Sequence, residues 1–411
     1  MPSSRPPVRH RWRLVIAGGL VMGAALGIRH VQGLFLLPVT LERGWSREAF
    51  GLALALQNLL WGLAQPFTGM IADRFGSARV IVSGMICYAL GLALMAYANT
   101  LGLFTLASGG LIGVALSGSA FGAVYGALSR LYPGEERSWA LGVAGAVGGF
   151  GQFCMVPAAQ GLISGFGWMT ALLALALACL LLAPLGGLLN DAPGAGAPTA
   201  DNDQTLRAAI HEALSHRGFL LLNLGFVVCG FQLAFIGAHL PAYLFDQGFT
   251  ARHASIALAL IALANVAGTY GCGYLGGFLR RKYVLSTLYL VRAGVIALFV
   301  ALPLTPASLY VFACAIGLLW LGTVPLTNGL VSQVFGVRYI TTLFGLVFLG
   351  HQLGGFLGVW LGGIVFDATR SYLPLWYGAI GLGLVAALLH LPIDDARVAR
   401  TPRAAPARVP A

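Results

Sequence analysis

Apolar runs of about 20 residues recur from one end of this chain to the other, each long enough to cross a lipid bilayer as a helix. Inside a bilayer every backbone N–H and C=O needs an internal partner, which leaves helices and closed barrels as the only spanning structures. Uneven, fully apolar runs exclude the barrel, whose strands alternate with period two. One such run near the N-terminus could be a signal peptide; a dozen cannot, and no small-residue cleavage pattern follows the first. Of 411 residues, 58% are hydrophobic and 9% charged, against about a quarter charged in a soluble chain. The expected fold class is an all-α, polytopic membrane protein.

Turn and charge signals between the runs give twelve transmembrane spans, near 13–37, 50–72, 79–98, 101–128, 139–164, 168–189, 218–245, 254–277, 284–302, 306–333, 341–366 and 372–391. A polar connection over 190–217 divides them six and six. It starts Gly/Ala/Pro-rich, as flexible linkers do, and 204–216 reads as a short surface helix. The expected organisation is a tail over 1–12, a half over 13–189, the linker, a second half over 218–391 and a tail over 392–411. With both termini on one side, 18 basic residues fall on that side against Arg43, Arg47, Arg252 and Arg370 on the other. This imbalance predicts cytoplasmic termini in a bacterial-type inner membrane.

The formal charge of +11 is carried by Arg and the single Lys282 in short loops and tails, so it is no nucleic-acid footprint. All six Cys lie inside apolar runs and read as small buried residues rather than disulfide or metal ligands. No nucleophile–base–acid set, metal cluster or phosphate loop converges, so neither an enzyme nor a cofactor is expected. The bilayer is the expected partner, around a monomer.

An internal repeat is visible. Glu42-Arg-Gly-Trp-Ser-Arg-Glu-Ala-Phe-Gly-Leu-Ala-Leu-Ala-Leu56 aligns with Asp246-Gln-Gly-Phe-Thr-Ala-Arg-His-Ala-Ser-Ile-Ala-Leu-Ala-Leu260 at an offset of 204. At 203, Gly27 meets Gly230, Pro38 meets Pro241, Ser129 meets Ser332 and Gly142 meets Gly345. Two six-helix halves in the same orientation resemble the parallel-repeat architecture of the major facilitator superfamily, whose substrate site lies between the halves near the midplane.

A loop motif adds to the resemblance. Gly69-Met-Ile-Ala-Asp73-Arg74-Phe-Gly76-Ser-Ala-Arg79, between spans two and three, is similar to that superfamily's Gly-xxx-Asp-Arg-x-Gly-x-Arg signature. The resemblance implies a gating role for Gly69, Asp73, Arg74, Gly76 and Arg79. The repeat mate around Gly273 to Lys282 keeps only the basic end, so such a gate is one-sided. Gly-Trp-Ser-Arg at 44–47, Gln57-Asn58, His239-Leu-Pro-Ala-Tyr-Leu and Phe344-Gly…Gly354-Gly…Asp367 look like the bacterial monocarboxylate transporter-like and oxalate/formate antiporter-like branch. That branch moves small organic anions, commonly held by an Arg in span eight; 254–277 has no central Arg.

All 13 acids fall in loops, tails or span ends, whereas the ionisable residues inside spans are Arg29, Arg292, His30, His239 and His351. A buried cation costs at least about 2.5–3.5 kcal/mol and needs a partner or a task. Arg29 lies roughly 24 Å from Arg13 and about 13 Å before Pro38, too deep for snorkelling. In the fold implied, span one lines the cavity, Gln32 shares the Arg29 face, and the repeat mate is Gln232. The candidate substrate-binding set is Arg29, Gln32, Gln57, Tyr125, Gln232, His239, Asn328 and His351. Arg292, in a peripheral span, is expected to pack toward span eight or ten.

These readings predict a secondary transporter that moves a small organic anion, such as a monocarboxylate, by alternating access, through proton symport or anion exchange. Two other functions fit the same scaffold: efflux of amphipathic drugs, and a membrane sensor without flux.

Overall fold

Span one is not a continuous helix. In the computed structural model, which describes residues 8–132, 134–191, 205–336 and 340–398, α1 (Val8–His30) gives way to a 3₁₀ turn at Gln32–Phe35 and then to α2 (Leu36–Arg43). The cause is local: Pro38 offers no N–H and its ring crowds the carbonyl four residues earlier, at Leu34, so the chain tightens before it. Residues 192–204 of the expected linker, and 1–7 and 399–411 of the expected tails, lie outside the described residues.

After the break come α3 (Arg47–Phe75) and α4 (Ser77–Tyr97). Span four is divided into α5 (Leu101–Thr105), a π turn at Leu106–Leu111, α6 (Ile112–Ser119) and α7 (Phe121–Leu131). Helix α8 (Gly134–Gly187) bends at Gly167, where φ is 81° and only glycine sits without strain. Then follow α9 (Leu206–Ser215), α10 (Arg217–Asp246), α11 (Ala251–Phe278) and α12 (Arg281–Ala301). Span ten is broken into α13 (Pro306–Leu318) and α14 (Thr323–Phe335), and α15 (Ile340–Thr369) and α16 (Leu373–His390) complete the chain. Among the described residues ten segments are long and apolar enough to cross a membrane, Ala140–Gly187 counted as one. Helix α3 is not among them; Gln57, Asn58, Gln65 and Thr68 lower its apolarity.

Small residues let the helices meet backbone to backbone, the packing mode favoured where lipid offers no hydrophobic drive. A Cβ on Gly230 of α10 would lie 1.7 Å from the carbonyl oxygen of His351, and one on Gly354 of α15 would lie 1.8 Å from that of Val227. Helices α3 and α15 approach each other from Glu48 and Gly363 to Gly62 and Gln352. Further along α3, Leu63, Phe67, Met70, Ile71 and Phe75 stand exposed, as do Tyr270, Tyr274 and Phe278 at the matching end of α11. The contact between α3 and α15 is therefore closed at the face carrying Arg47 and splayed toward the face carrying Val8 and Val398.

Two carboxylates fasten the splayed face. Asp191, read from sequence as part of the linker, is 3% exposed and caps α4: its oxygens accept from the Ser77 backbone N–H (2.6 Å), the Ser77 hydroxyl (2.9 Å) and Arg130 Nε (2.5 Å). At an offset of 204, Asp395 accepts from Arg280 Nη2 (2.6 Å) and Nε (3.1 Å). The chain reversal between α3 and α4 is thus held by Asp191, with Gly76 at φ 91° against it. The Asp73 and Arg74 side chains, expected as gate residues, lie outside the described residues; Arg79 is exposed and Gly69 faces open space.

Burial pushes the Asp191 pKa up, but the Ser77 N–H and hydroxyl and Arg130 outweigh it and hold the carboxyl below its ordinary 3.8. A depressed folded pKa contributes stability that is present above the ordinary value and lost as pH falls through the folded one. We expect Asp191→Asn to lower the melting temperature at neutral pH and to flatten its decline below about pH 4. Melting curves of both proteins in one detergent between neutral and acid pH check this; parallel curves contradict it.

Candidate functional site

Arg29 occupies the last turn of α1, where helix carbonyls are running out of partners and a cation is favoured. Its Nη2 donates to Asn58 Oδ1 on α3. Asn58 is oriented for this by its own Nδ2, which donates to the Leu54 carbonyl at 3.2 Å. The guanidinium carbon sits 5.5 Å from the Trp61 ring centre, a cation–π distance. Trp61 in turn donates from Nε1 to Gln65 (2.9 Å) and meets Phe348 of α15 edge-on at 5.3 Å. His351 stacks on Phe348, 5.7 Å away with planes 4° apart. One aromatic row thus links Arg29 to His351 across the α3–α15 contact.

The polar atoms left over have a common character. Arg29 Nε, Gln32 Nε2 and Gln352 Nε2 are buried N–H donors without a partner. His351 Nδ1 lies 3.2 Å from Gln352 Oε1, which tethers the ring to its neighbour on α15. Among the described residues no carboxylate pairs with Arg29. A half-buried cation with a spare N–H of its own, and with no carboxylate bonded to it among the described residues, is suited to an anion from outside the chain.

Other expected site residues lie elsewhere. Gln57 points about 100° away from Asn58 around α3 and donates to the Ser108 carbonyl at 3.0 Å, packing against span four. Gln232 is fully buried; its Nε2 donates to Ala379 O (2.8 Å) and its Oε1 accepts from Arg292 (3.3 Å). His239 is 1% exposed with both ring nitrogens engaged, Nε2 at 2.8 Å from Val359 O and Nδ1 at 3.1 Å from Tyr372 Oη. Tyr125 packs on Phe121 with its hydroxyl against Gly145, and Asn328 is exposed on α14. The structure brings Arg29 and His351 into one cluster and sets Gln57, Gln232 and His239 into helix packing.

Arg292 is the other buried cation. It is 0% exposed, and its Nη2 donates to the carbonyls of Leu319 and, at 2.9 Å, Trp320. Those are the free carbonyls where α13 ends. Nη1 adds Gln232 and Cys229 Sγ (3.4 Å). Arg292 therefore caps the break in span ten, as its peripheral span led us to expect.

Sequence reasoning missed a second cluster, at the closed face. Arg47 Nη1 and Nη2 grip Asp246 at 2.6 and 2.7 Å, joining α3 to α10. Arg47 also donates to Tyr372 Oη (3.2 Å) and lies 3.7 Å over Phe366, while Asp367 caps α3 through the Glu48 N–H (2.8 Å). The signal was available as opposite charges at the same ends of two long spans.

Comparison with known proteins decides the family. The family profile of the Major Facilitator Superfamily matches residues 14–359. The chain belongs to that superfamily. Among major facilitator relatives, monocarboxylate transporter 11 of Mus musculus is 30% identical over 387 residues, covering 90% of this chain and 84% of that one. An uncharacterized MFS-type transporter of Bacillus subtilis, YcxA, is 24% identical over 404 residues, covering 96% and 98%. The resemblance to the monocarboxylate transporter-like branch of the superfamily therefore holds. In solved structures the fold is shared with a bacterial homologue of the human lysosomal transporter Spinster in its inward-facing, unoccupied conformation, with a TM-score of 0.72, 17% identity and 94% of each chain covered.

Proposed function

We propose that this major facilitator protein is a secondary active transporter that carries a small organic anion, a monocarboxylate or similar carboxylate, across a bacterial-type inner membrane by alternating access. The observation that carries the reading is Arg29: a guanidinium deep in the bundle, held among the described residues by an amide and an aromatic face, with its Nε–H still without a partner. A guanidinium can grip a carboxylate through two parallel bonds, and the neutral amides leave its charge for the cargo. Twelve crossings follow when α8 is counted twice at Gly167 and α3 is added to the ten apolar segments. The pseudo-equivalent Asp191 and Asp395 clasps support two six-helix halves. With the basic, splayed face toward the cytoplasm, the Arg47 face is outward and closed, and Arg29 is reached from inside.

The test is a thermal-shift screen of the purified protein against mono- and dicarboxylates at constant pH and ionic strength, because a ligand of the folded state raises apparent stability. We expect one or more monocarboxylates to stabilise it and to drive counterflow of the same labelled acid in proteoliposomes. Stabilisation by neutral amphipaths alone, with no carboxylate response, would falsify the reading.

A further inference from the structure

We infer that His239 is a proton-binding site that unlocks the closed Arg47 face. Which face is outward rests on the orientation proposed above; the geometry of the lock does not. The Val359 carbonyl can only accept, so the N–H of a neutral His239 is on Nε2, 2.8 Å away. Its Nδ1 is then a bare acceptor and takes the single O–H of Tyr372 at 3.1 Å. With that hydrogen committed, the Tyr372 oxygen presents its lone pairs to Arg47 Nη1 at 3.2 Å. The ring of His239, inside the bundle, thereby sets the hydroxyl that receives the gate arginine.

Adding a proton at Nδ1 reverses this arrangement. Nδ1 becomes a donor, the Tyr372 hydrogen loses its acceptor, and two cationic donors converge on one phenolic oxygen. The charged and titratable groups around the ring are Arg47 and Glu48 at the start of α3, Asp246 and Tyr243 on its own helix, Asp367 on α15 and Tyr372 just before α16. Two carboxylates that could neutralise an imidazolium are committed across the closed face, Asp246 to Arg47 and Asp367 to the Glu48 N–H. Whichever one turns to His239 releases a contact between α3 and α10 or between α3 and α15. Because all 13 acids of the chain sit in loops, tails or span ends, this imidazole gives the bundle a titrating group where no mid-span carboxylate exists.

The experiment uses the full-length protein in lipid nanodiscs with no anion added. Spin labels on Leu41→Cys and Gln247→Cys, both exposed at the closed face, report its opening by pulsed dipolar spectroscopy. The background carries Cys154→Ser, and His253→Gln removes the nearby half-buried imidazole. We expect the long-distance population to rise about threefold or more between about pH 7 and pH 4, because a buried imidazole facing a guanidinium holds its proton only in acid. His239→Gln, which keeps a donor for Val359, and Tyr372→Phe should both abolish the rise, and Asp246→Asn should open the face at every pH. No rise in the parent protein, or a rise that survives either His239→Gln or Tyr372→Phe, overturns the inference. Because no anion is present, failure of the anion reading would appear separately, as a missing thermal shift beside an intact pH response.

Discussion

Arg29→Gln is expected to lose anion binding by about 2–5 kcal/mol, roughly 30- to 5,000-fold, while remaining folded. Gln can still bond Asn58, and Arg29 carries no carboxylate whose charge would be stranded by its removal. Arg29→Lys should fall between the two, since an ammonium keeps the charge but not the paired donors. Titration of the best-stabilising carboxylate by isothermal calorimetry on monodisperse protein measures both variants. Near-native affinity in Arg29→Gln would move the anion to the donors around Gln352 and leave Arg29 a structural charge.

Arg292→Leu should be the most damaging single change to stability. It removes the donors of the Leu319 and Trp320 carbonyls and of Gln232 Oε1, in a place no water reaches. Each buried acceptor left alone costs about 1–3 kcal/mol, so the neutral acceptors stranded here together cost several times that. The variant should purify in low yield with a clearly lower melting temperature, and Arg292→Lys should recover part of it. An Arg292→Leu protein that melts with the parent would show that span ten keeps its break without the cap.

The two arginines also show where sequence is legible and where it stops. Long apolar runs give the helices directly because the bilayer forbids alternatives, and Arg29 stands out because no charge enters that depth without a reason. Its partner did not stand out. Asn58 and Gln57 differ by one residue, or about 100° around α3, and which one faces Arg29 is set by how α3 lies against α15, some 300 residues away. The repeat misled at Gln232 for a similar reason. Arg292 on α12 takes that amide, whereas the position 203 residues earlier is Ala89, so the two sequence-equivalent sites have different neighbours. His239 looked like a free ligand because its partners, Val359 and Tyr372, lie 120 and 133 residues away. Asp191 was hidden by composition: the polar stretch that marks a linker also contained a helix cap.

The interrupted spans one and ten touch at their interruptions. His30, at the end of α1, bonds the Leu258 carbonyl at 3.0 Å and meets Trp320, at the end of α13, edge to face at 6.5 Å. When one body tilts against another, displacement grows with distance from the fulcrum, and this contact is well placed to be the fulcrum. It lies beside Arg29 and far along the bundle from the Arg47 lock. A cargo seated there would experience nearly the same surroundings before and after the tilt. Since a ligand biases two states only by its difference in affinity for them, such a seat leaves the equilibrium almost level. That is what a carrier requires: cargo held equally well on both sides is released on both, and the direction of travel is left to the gradients.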